Sequence, residues 1–190
     1  MQKHLYILTG GSRGMGLAIA HQLLQAGHEL ICISRHANEG LAAAAKKAEA
    51  SLSQWTQDLS DGQAASERLG RWLQQQDPAQ WCSATLINNA GTIPPIAPLS
   101  QAHPQDLAQA LRVGLEAPMQ LCARFLGATE PWGLPRKVLN ISSGLGRKAM
   151  ASQAAYCAAK AGMDHFTRCL AMDEILKPNG AKVCALAPGV

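Results

Sequence analysis

The chain has 190 residues, 47% hydrophobic and 16% charged, which is typical of one globular domain with a sizeable core. Its formal net charge is +4, and a small excess of scattered lysines and arginines argues against nucleic-acid binding. No apolar run is long enough for a signal peptide or a membrane span, so we expect a cytoplasmic protein. The six cysteines form no CxxC pair, and no group of cysteines and histidines has metal-ligand spacing, so no metal site is expected.

Segments typical of strands and of helices alternate along the chain. Apolar runs rich in β-branched residues predict strands, and apolar residues three and four apart predict the helices between them. This alternation favours a parallel sheet covered by helices on both faces, in one domain spanning residues 1–190. Pro118 is expected to break or kink the fourth helix. The predicted strands cover residues 4–9, 28–34, 53–57, 83–88, 137–142 and 181–187, and the predicted helices cover 16–27, 38–52, 61–76, 104–127 and 154–176.

A glycine-rich segment, TGGSRGMG at residues 9–16, lies between the first predicted strand and the first predicted helix. Gly10, Gly14 and Gly16 allow the backbone to turn sharply and to approach a pyrophosphate, whose charge suits the N-terminus of a helix. Glycine loops also serve as plain turns, but the strand–loop–helix context favours a dinucleotide site.

The end of the second predicted strand bears on the choice between NAD and NADP. Proteins that select NAD usually place an acidic residue there, which holds the ribose hydroxyls. Here the sequence reads Ser34, Arg35, His36, and Arg13 lies inside the glycine loop. Two guanidinium groups can bind a phosphate through charge-assisted hydrogen bonds, so the pair favours NADP; the alternative is that both simply face solvent.

Tyr156 and Lys160 are four residues apart in a predicted helix and therefore share one of its faces. A phenol has a pKa of about 10, and a neighbouring ammonium lowers that pKa, which improves proton transfer at neutral pH. Ser143 ends the fifth predicted strand, where its hydroxyl can hydrogen-bond a substrate carbonyl. Taken alone, a tyrosine–lysine pair on a helix is usually incidental.

Five motifs occur in one order: TGGSRGMG, then NNAG at 88–91, NISS at 140–143, YCAAK at 156–160 and APG at 187–189. Together they resemble the short-chain dehydrogenase/reductase family over essentially the whole chain. The resemblance implies an α/β fold with a Rossmann-type doubly wound parallel sheet, and an NADP(H)-dependent carbonyl reductase. It also implies that Ser143, Tyr156 and Lys160 are the catalytic residues, with Tyr156 as the proton donor.

The resemblance further implies which residues bind the cofactor. Asp58 matches the acidic residue that the family places near the adenine, and Tyr156 and Lys160 serve both cofactor binding and catalysis. The expected set is Gly10, Ser12, Arg13, Gly14, Met15, Gly16, Ser34, Arg35, Asp58, Leu59, Asn89, Ala90, Gly91, Tyr156, Lys160, Pro188 and Gly189.

A narrower resemblance rests on LINNAGT, VLNISSGLGRK and AAYCAAKAGMDHF, which are similar to the sepiapterin reductase and benzil reductase branch. That branch implies reduction of an aromatic or α-dicarbonyl ketone. It also implies that Ala149, Met150 and the loop at 92–99 line the substrate pocket. The family as a whole implies a homodimer or homotetramer formed through the helices near 104–127 and 154–176.

Two features depart from the family pattern. Gly114 stands where the family usually has an asparagine that holds a helix bend and a water linked to the lysine, which puts the proton relay in question. The chain stops directly after APG, whereas family members continue into a substrate-covering segment and a last strand. Either the natural protein continues beyond Val190 or it is a truncated relative, and we expect that strand and segment to be absent from residues 1–190. Both features favour an alternative hypothesis, an NADP-binding protein with weak or no catalysis that acts in regulation or assembly.

Overall fold

A six-stranded sheet lies at the centre of the computed structural model, which describes residues 2–189. All five strand pairings are parallel. Numbered by their order in the chain, the strands lie across the sheet in the order 3-2-1-4-5-6. This is the predicted doubly wound order. The strands are β1 (Lys3–Thr9), β2 (His28–Ser34), β3 (Ser51–Thr56), β4 (Trp81–Asn88), β5 (Arg136–Ile141) and β6 (Lys182–Leu186).

Helices cover both faces of the sheet, as the sequence predicts. One face packs against the third, fifth and sixth helices, and the other packs against the first and second. The helices are α1 (Gly14–Leu23), α2 (Glu39–Lys47), α3 (Gly62–Gln74), α4 (Pro104–Leu111), α5 (Ala117–Thr129) and α6 (Ala154–Ile175). None of the helices among residues 2–189 has both the length and the apolar character that crossing a membrane requires.

Alternate residues of the central strands supply the two cores. In β1, Leu5 and Ile7 belong to the core beneath α3 and α5, whereas Leu8 belongs to the core beneath α1 and α2. All three side chains are fully buried, and each such burial contributes about 1.5–3 kcal/mol of hydrophobic free energy. Because β1 is buried on both faces, it reads in the sequence as an almost continuous apolar run.

Two predicted helices are shorter than expected. The helix predicted at 38–52 ends at Lys47, because Glu49 adopts a left-handed conformation with φ of 52° and the amide of Ala50 donates to the carbonyl of Ala45. Ser51 and Leu52 then pair with β2 as the start of β3. The helix predicted at 16–27 ends at Leu23, and Gly27, with φ of +79°, belongs to the turn before β2.

The helix predicted at 104–127 is interrupted just before Pro118. Pro118 lies in the first turn of α5 and has no amide hydrogen to donate to the carbonyl of Gly114, four residues earlier. The irregularity lies one turn earlier, where residues Arg112–Glu116 form a π-helical turn between α4 and α5. Such turns insert an extra residue and often mark functional sites.

A buried ion pair joins β5 to α6. The guanidinium of Arg136 lies 3.8 Å from the Glu174 carboxylate, and both side chains are almost completely buried. The same carboxylate accepts from the amide of Ala181 at 2.8 Å and pairs with Lys177 at 2.8 Å. Burial tends to raise the pKa of Glu174, but the hydrogen bonds from Ala181 and Lys177 and the two cationic charges outweigh it and hold that pKa below its usual value.

Glu174→Gln is therefore expected to lower the free energy of unfolding by about 3 kcal/mol at pH 7, because it leaves Arg136 buried without its counter-charge. The pKa of Glu174 is lower in the native protein than in the unfolded chain. The ion pair therefore stabilises the fold fully at a pH above the unfolded-state pKa, and this stabilisation is lost as the pH falls through the native-state pKa. Urea unfolding from pH 7 to pH 4 should show the difference between wild type and variant narrowing toward acid.

Glu67→Gln is the matched control, since its ion pair with Arg71 is exposed and 3.8 Å long, and such pairs contribute little. An equal loss of stability in the two variants would contradict the role given to the buried pair.

Candidate active site

The sheet order reverses between β1 and β4, so the connections from these two strands diverge and leave a crevice at their carboxyl ends. A cleft of about 420 Å³ opens at this point. It contains thirteen of the residues predicted to bind a cofactor: Gly10, Ser12, Arg13, Gly14, Met15, Gly16, Ser34, Arg35, Asp58, Leu59, Asn89, Ala90 and Gly91. Six further residues line the cleft and were not in that set: Ile33, His36, Gln57, Thr92, Gln109 and Val113.

The glycine loop crosses the segment after β4 too closely for side chains. A Cβ at Gly16 would lie 2.0 Å from the carbonyl oxygen of Gly10, and a Cβ at Gly10 would lie 3.0 Å from Cα of Ala90. Gly10 also has φ of +71°, a conformation that favours glycine. The loop therefore needs glycine at both positions to bring its backbone against α1 and the β4 segment.

Thr9 and Asn89 fix the two sides of the crevice to each other. The Thr9 hydroxyl accepts hydrogen bonds from the amides of Asn89 and Ala90, at 2.9 and 3.0 Å. In return the Asn89 side chain donates to the carbonyls of Thr9 and Gly10, at 3.1 and 3.3 Å. Sequence analysis predicted Asn89 as a cofactor ligand, and the structure places its amide group in the scaffold of the glycine loop. The role of Thr9 was not foreseen, because it depends on a partner 80 residues away.

Polar groups at the cleft are arranged for an anion. Arg13, the N-cap of α1, makes no side-chain capping bond, and the first turn of α1 contains no acidic residue, so its first amides remain available to a phosphate. The hydroxyl of Ser34 is buried in the cleft wall and has no hydrogen-bond partner among residues 2–189. These features, with the glycine cradle, fit the pyrophosphate and ribose of a dinucleotide.

Arg13 and Arg35 lie on the cleft wall with exposed side chains. Within the described part of the chain, neither forms an ion pair with an acidic residue. Their charges are therefore free to meet a phosphate. No carboxylate follows β2 directly, since Ser34 is followed by Arg35 and His36.

Asn38 connects the two arginine-bearing segments and was not predicted as a site residue. Its side chain donates to the carbonyl of Ser12 at 2.9 Å and accepts from the amide of Leu41 at 2.8 Å, which caps α2. Its own backbone amide and carbonyl bind the side-chain amide of Gln54. The residue could have been suspected only as a helix cap, since the bond to Ser12 requires the fold.

Lys160 lies on the buried side of α6, with 3% of its surface exposed. Its ammonium donates to the carbonyl of Ile141 at 2.7 Å and lies 5.7 Å from the centroid of the Tyr156 ring. A Cβ on Gly91 would be 3.8 Å from the same ammonium, so Lys160 lies beside the end of the cleft. Burial lowers the pKa of Lys160, and the negative charge of Asp164 opposes this effect.

Ser143 follows β5 and begins a short 3₁₀ turn, Gly144–Gly146, in which its hydroxyl accepts from the amide of Leu145 at 3.2 Å. Gly146 rests directly on α6, because a Cβ there would lie 2.9 Å from the carbonyl oxygen of Lys160. The turn carrying Ser143 and the helical turn carrying Lys160 are thus in contact. Sequence motifs about 15 residues apart in the chain meet at the carboxyl end of β5.

Gly114 occupies the middle of the π-helical turn and is buried. A Cβ at this position would lie 3.1 Å from Cβ of Ala159, the neighbour of Lys160 in sequence. The bend that the family pattern associates with an asparagine is therefore formed here by a π-helical turn with a glycine packed against α6. In the structure the Lys160 ammonium is hydrogen-bonded to the carbonyl of Ile141.

A second cavity of about 160 Å³ lies between the proline-rich loop and the start of α6. Pro95, Ala97 and Leu99 line one side of it, and Ala154 and Ala155 line the other, next to Tyr156 in the chain. The predicted pocket residues Ala149 and Met150 do not line it and are exposed. Pro188 and Gly189 follow β6 as exposed residues and do not line the larger cleft.

Among residues 2–189, no three histidine, cysteine, aspartate or glutamate side chains converge as metal ligands do.

A parallel doubly wound sheet with a glycine cradle at its switch point, and a serine, tyrosine and buried lysine beside it, is typical of dinucleotide-dependent oxidoreductases. The profile of the short chain dehydrogenase family matches residues 4–190. The chain belongs to the short-chain dehydrogenase/reductase family and is an oxidoreductase of that family, whose members use NAD or NADP.

Two relatives and one solved structure illustrate the match. Benzil reductase ((S)-benzoin forming) from Bacillus cereus is 36% identical over 184 residues, which are 97% of this chain and 74% of the relative. Sepiapterin reductase from Xenopus laevis is 31% identical over 203 residues, 97% of this chain and 72% of the relative. The crystal structure of a putative NAD(P)-dependent gluconate 5-dehydrogenase from Beutenbergia cavernae, with bound NADP, superposes with a TM-score of 0.86 at 28% identity, covering 100% of this chain and 73% of that one.

Gly16→Ala is expected to weaken dinucleotide binding by about tenfold or more. The new Cβ would lie 2.0 Å from the carbonyl oxygen of Gly10, so the glycine loop would have to move to accommodate it. Titration of the protein into NADPH and into NADH, followed by nicotinamide fluorescence, measures the effect. Gly127→Ala is the matched helical control, because a Cβ at Gly127 meets nothing within 4 Å and should stabilise α5 by about 0.5–1 kcal/mol. Unchanged affinity in the Gly16 variant would show that the nucleotide does not use this loop.

Proposed function

We propose that the protein is an NADPH-dependent carbonyl reductase that converts an aromatic or α-dicarbonyl ketone to an alcohol, with Tyr156 as the proton donor. The observation that carries the proposal is the buried ammonium of Lys160, held beneath the Tyr156 ring and beside the end of the dinucleotide cleft. A buried lysine is costly to maintain, and here it borders a tyrosine whose chemistry it can tune.

The reaction adds a hydride to the carbonyl carbon and a proton to the carbonyl oxygen. When bound, the reduced nicotinamide supplies the hydride and leaves oxidised. Ser143 donates a hydrogen bond to the substrate oxygen and orients it, and the phenol of Tyr156 transfers its proton to that oxygen as negative charge develops there. The Lys160 ammonium stabilises the resulting phenolate until the tyrosine is reprotonated from solvent.

The charge of Lys160 is the electrostatic component of this arrangement. The ammonium lies 5.7 Å from the tyrosine ring centroid, at a distance where a positive charge favours the phenolate. Its hydrogen bond to the Ile141 carbonyl fixes its position at the end of β5, two residues before Ser143. The lysine thus stabilises the negative charge that develops on the proton donor.

The preference for aromatic or vicinal carbonyls is supported by the second cavity, which Ala154 and Ala155 line directly before Tyr156 in the chain. Pro95, Ala97 and Leu99 border the same cavity with apolar side chains, which suit aromatic rings. The relatives from Bacillus cereus and Xenopus laevis, named for benzil and sepiapterin, support the same substrate class.

The preference for NADPH is supported by the two cleft arginines. Each has an exposed guanidinium without an acidic partner in residues 2–189, and no carboxylate directly follows β2 to bind a ribose diol. Two arginines favour a ribose that bears a phosphate. The cytoplasmic location and the homo-oligomer formed through α4, α5 and α6 stay predictions.

Tyr156→Phe is expected to lower turnover of benzil with NADPH by about 10²–10⁴-fold, since it removes the proton donor and preserves the ring. Loss of NADPH absorbance measures turnover, and NADPH fluorescence should show that binding persists. Tyr6→Phe is the matched control, because Tyr6 is the other tyrosine of the chain and packs on the ring of His28 within the sheet region.

Equal turnover by the Tyr156 variant and the wild type would contradict the mechanism. NADPH binding without turnover of benzil, sepiapterin or other carbonyls by the wild type would favour the alternative, a nucleotide-binding protein without catalysis.

Arg35→Leu and Arg13→Leu are each expected to raise the KM for NADPH by about 10–100-fold and to leave the KM for NADH nearly unchanged, because each removes a charged hydrogen-bond donor to the extra phosphate. Steady-state rates with both cofactors measure the ratio. Arg71→Leu is the control, since Arg71 lies on α3 and pairs with Glu67. An equal rise in the KM for NADPH and the KM for NADH would mean that the arginines do not bind the additional phosphate of NADPH.

A further inference from the structure

Asp164 is a buried carboxylate that the mechanism above does not use. The residue is 7% exposed, and neither of its side-chain oxygens has a hydrogen-bond partner among residues 2–189. An unpartnered carboxylate in the interior is costly, so it needs a compensating charge. The cation within 4 Å of it, in the described part of the chain, is Arg147, whose Nε lies 3.5 Å from Oδ2.

Arg147 places this ion pair between two parts of the candidate active site. It directly follows the 3₁₀ turn that begins at Ser143, whereas Asp164 lies on α6. The intervening Gly146 packs on the same helical turn: a Cβ there would lie 2.9 Å from the Lys160 carbonyl oxygen and 3.1 Å from Oδ2 of Asp164. The turn that carries Ser143 is therefore seated on α6 between Lys160 and Asp164.

Asp164 also follows Lys160 by one helical turn on the buried side of α6. Burial lowers the pKa of the Lys160 ammonium, and the Asp164 charge raises it. The charged residues on the other elements packed against α6 are Asp106 of α4, Arg112 and Glu116 of the π-helical turn, Arg136 and Lys137 of β5, and Lys182 of β6. Among residues 2–189, none of these six forms an ion pair with Asp164 or Lys160.

We propose that Asp164 is a positioning residue of this active site: through Arg147 it holds the Ser143 turn against α6, and it is the buried counter-charge of Lys160. The inference rests on the proposed reductase function. It assigns to one carboxylate both the placement of the hydroxyl that orients the substrate and the charge balance of the lysine that assists the proton donor.

The test compares Asp164→Asn, Arg147→Met and Lys148→Met with the wild type. Asp164→Asn keeps the shape of the side chain and removes its charge, and Lys148 is the matched control because it is an exposed cation next to Arg147. We expect Asp164→Asn to lower kcat with benzil by about tenfold and Arg147→Met by about threefold, with KM for NADPH nearly constant. The Lys148 variant should behave as wild type. Circular dichroism and NADPH binding establish that each variant is folded.

The pH profile separates this role from a purely structural one. The negative charge of Asp164 stabilises the protonated form of Lys160, so its removal makes the lysine lose its proton at lower pH. The alkaline limb of kcat should therefore move to lower pH by about one unit in Asp164→Asn. In Arg147→Met the alkaline limb of kcat should stay at the same pH or move to slightly higher pH, because that substitution removes a positive charge. A lower kcat without a shifted limb in Asp164→Asn would overturn the role as counter-charge, and an unchanged kcat in Arg147→Met would overturn the clamp.

A readout independent of turnover separates failure of this inference from failure of the proposed function. In protein with ¹⁵Nζ-labelled lysine, the Lys160 resonance, identified by its loss in Lys160→Met, should titrate at lower pH in Asp164→Asn than in wild type. Absence of benzil turnover in the wild type would refute the reductase proposal while this titration still tests Asp164. If the wild type turns over through Tyr156 and the titration does not move, the reductase proposal stands and the assignment of Asp164 is wrong.

Discussion

The buried ammonium of Lys160 is the constraint around which the site is organised. A cation that is 97% removed from solvent needs an acceptor and a counter-charge, or it loses its proton. The acceptor is the carbonyl of Ile141 at the end of β5, and a carboxylate, Asp164, lies one turn away on α6. Since the lysine must reach the Ile141 carbonyl from α6, the distance between β5 and α6 is tightly set. Gly114 and Gly146 pack on the same helical turn, where a Cβ would lie 3.1 Å from Cβ of Ala159 and 2.9 Å from the Lys160 carbonyl oxygen.

The dinucleotide cleft is built by a different principle, in which backbone rather than side chains does the binding. Gly10 and Gly16 allow the loop after β1 to pack closely on itself and on the segment after β4. Thr9 and Asn89 join these two segments by reciprocal hydrogen bonds. The cleft therefore presents amides of a helix N-terminus and a few cations, which together suit an anionic ligand of fixed shape. Gly91 lines this cleft and also lies next to the Lys160 ammonium, so the dinucleotide cleft adjoins the residues proposed for catalysis.

Several parts of this structure could be predicted from local sequence. The strands β1, β2, β4 and β5 are apolar runs that burial on both faces requires, and α3 (Gly62–Gln74) lies within the helix predicted at 61–76. Other parts could not. Residues Ser51 and Leu52 look helical in an alanine-rich context, yet they pair with β2 because the chain reverses at Glu49. The irregularity expected near Pro118 takes the form of a π-helical turn at Arg112–Glu116, and only the fold shows that Gly114 of this turn packs against Ala159 of α6.

The sequence by itself determined the alternating βα pattern, the glycine loop and the family to which the chain belongs, since these depend on residue type and spacing along a few adjacent turns. Only the tertiary structure decided what Thr9, Asn38 and Asp164 contact, because each interacts with a segment that is distant in sequence or on a different element. Local patterns report which residues can form a helix or approach a phosphate. Which polar groups end up buried, and therefore which partners they must have, depends on how the elements pack against one another.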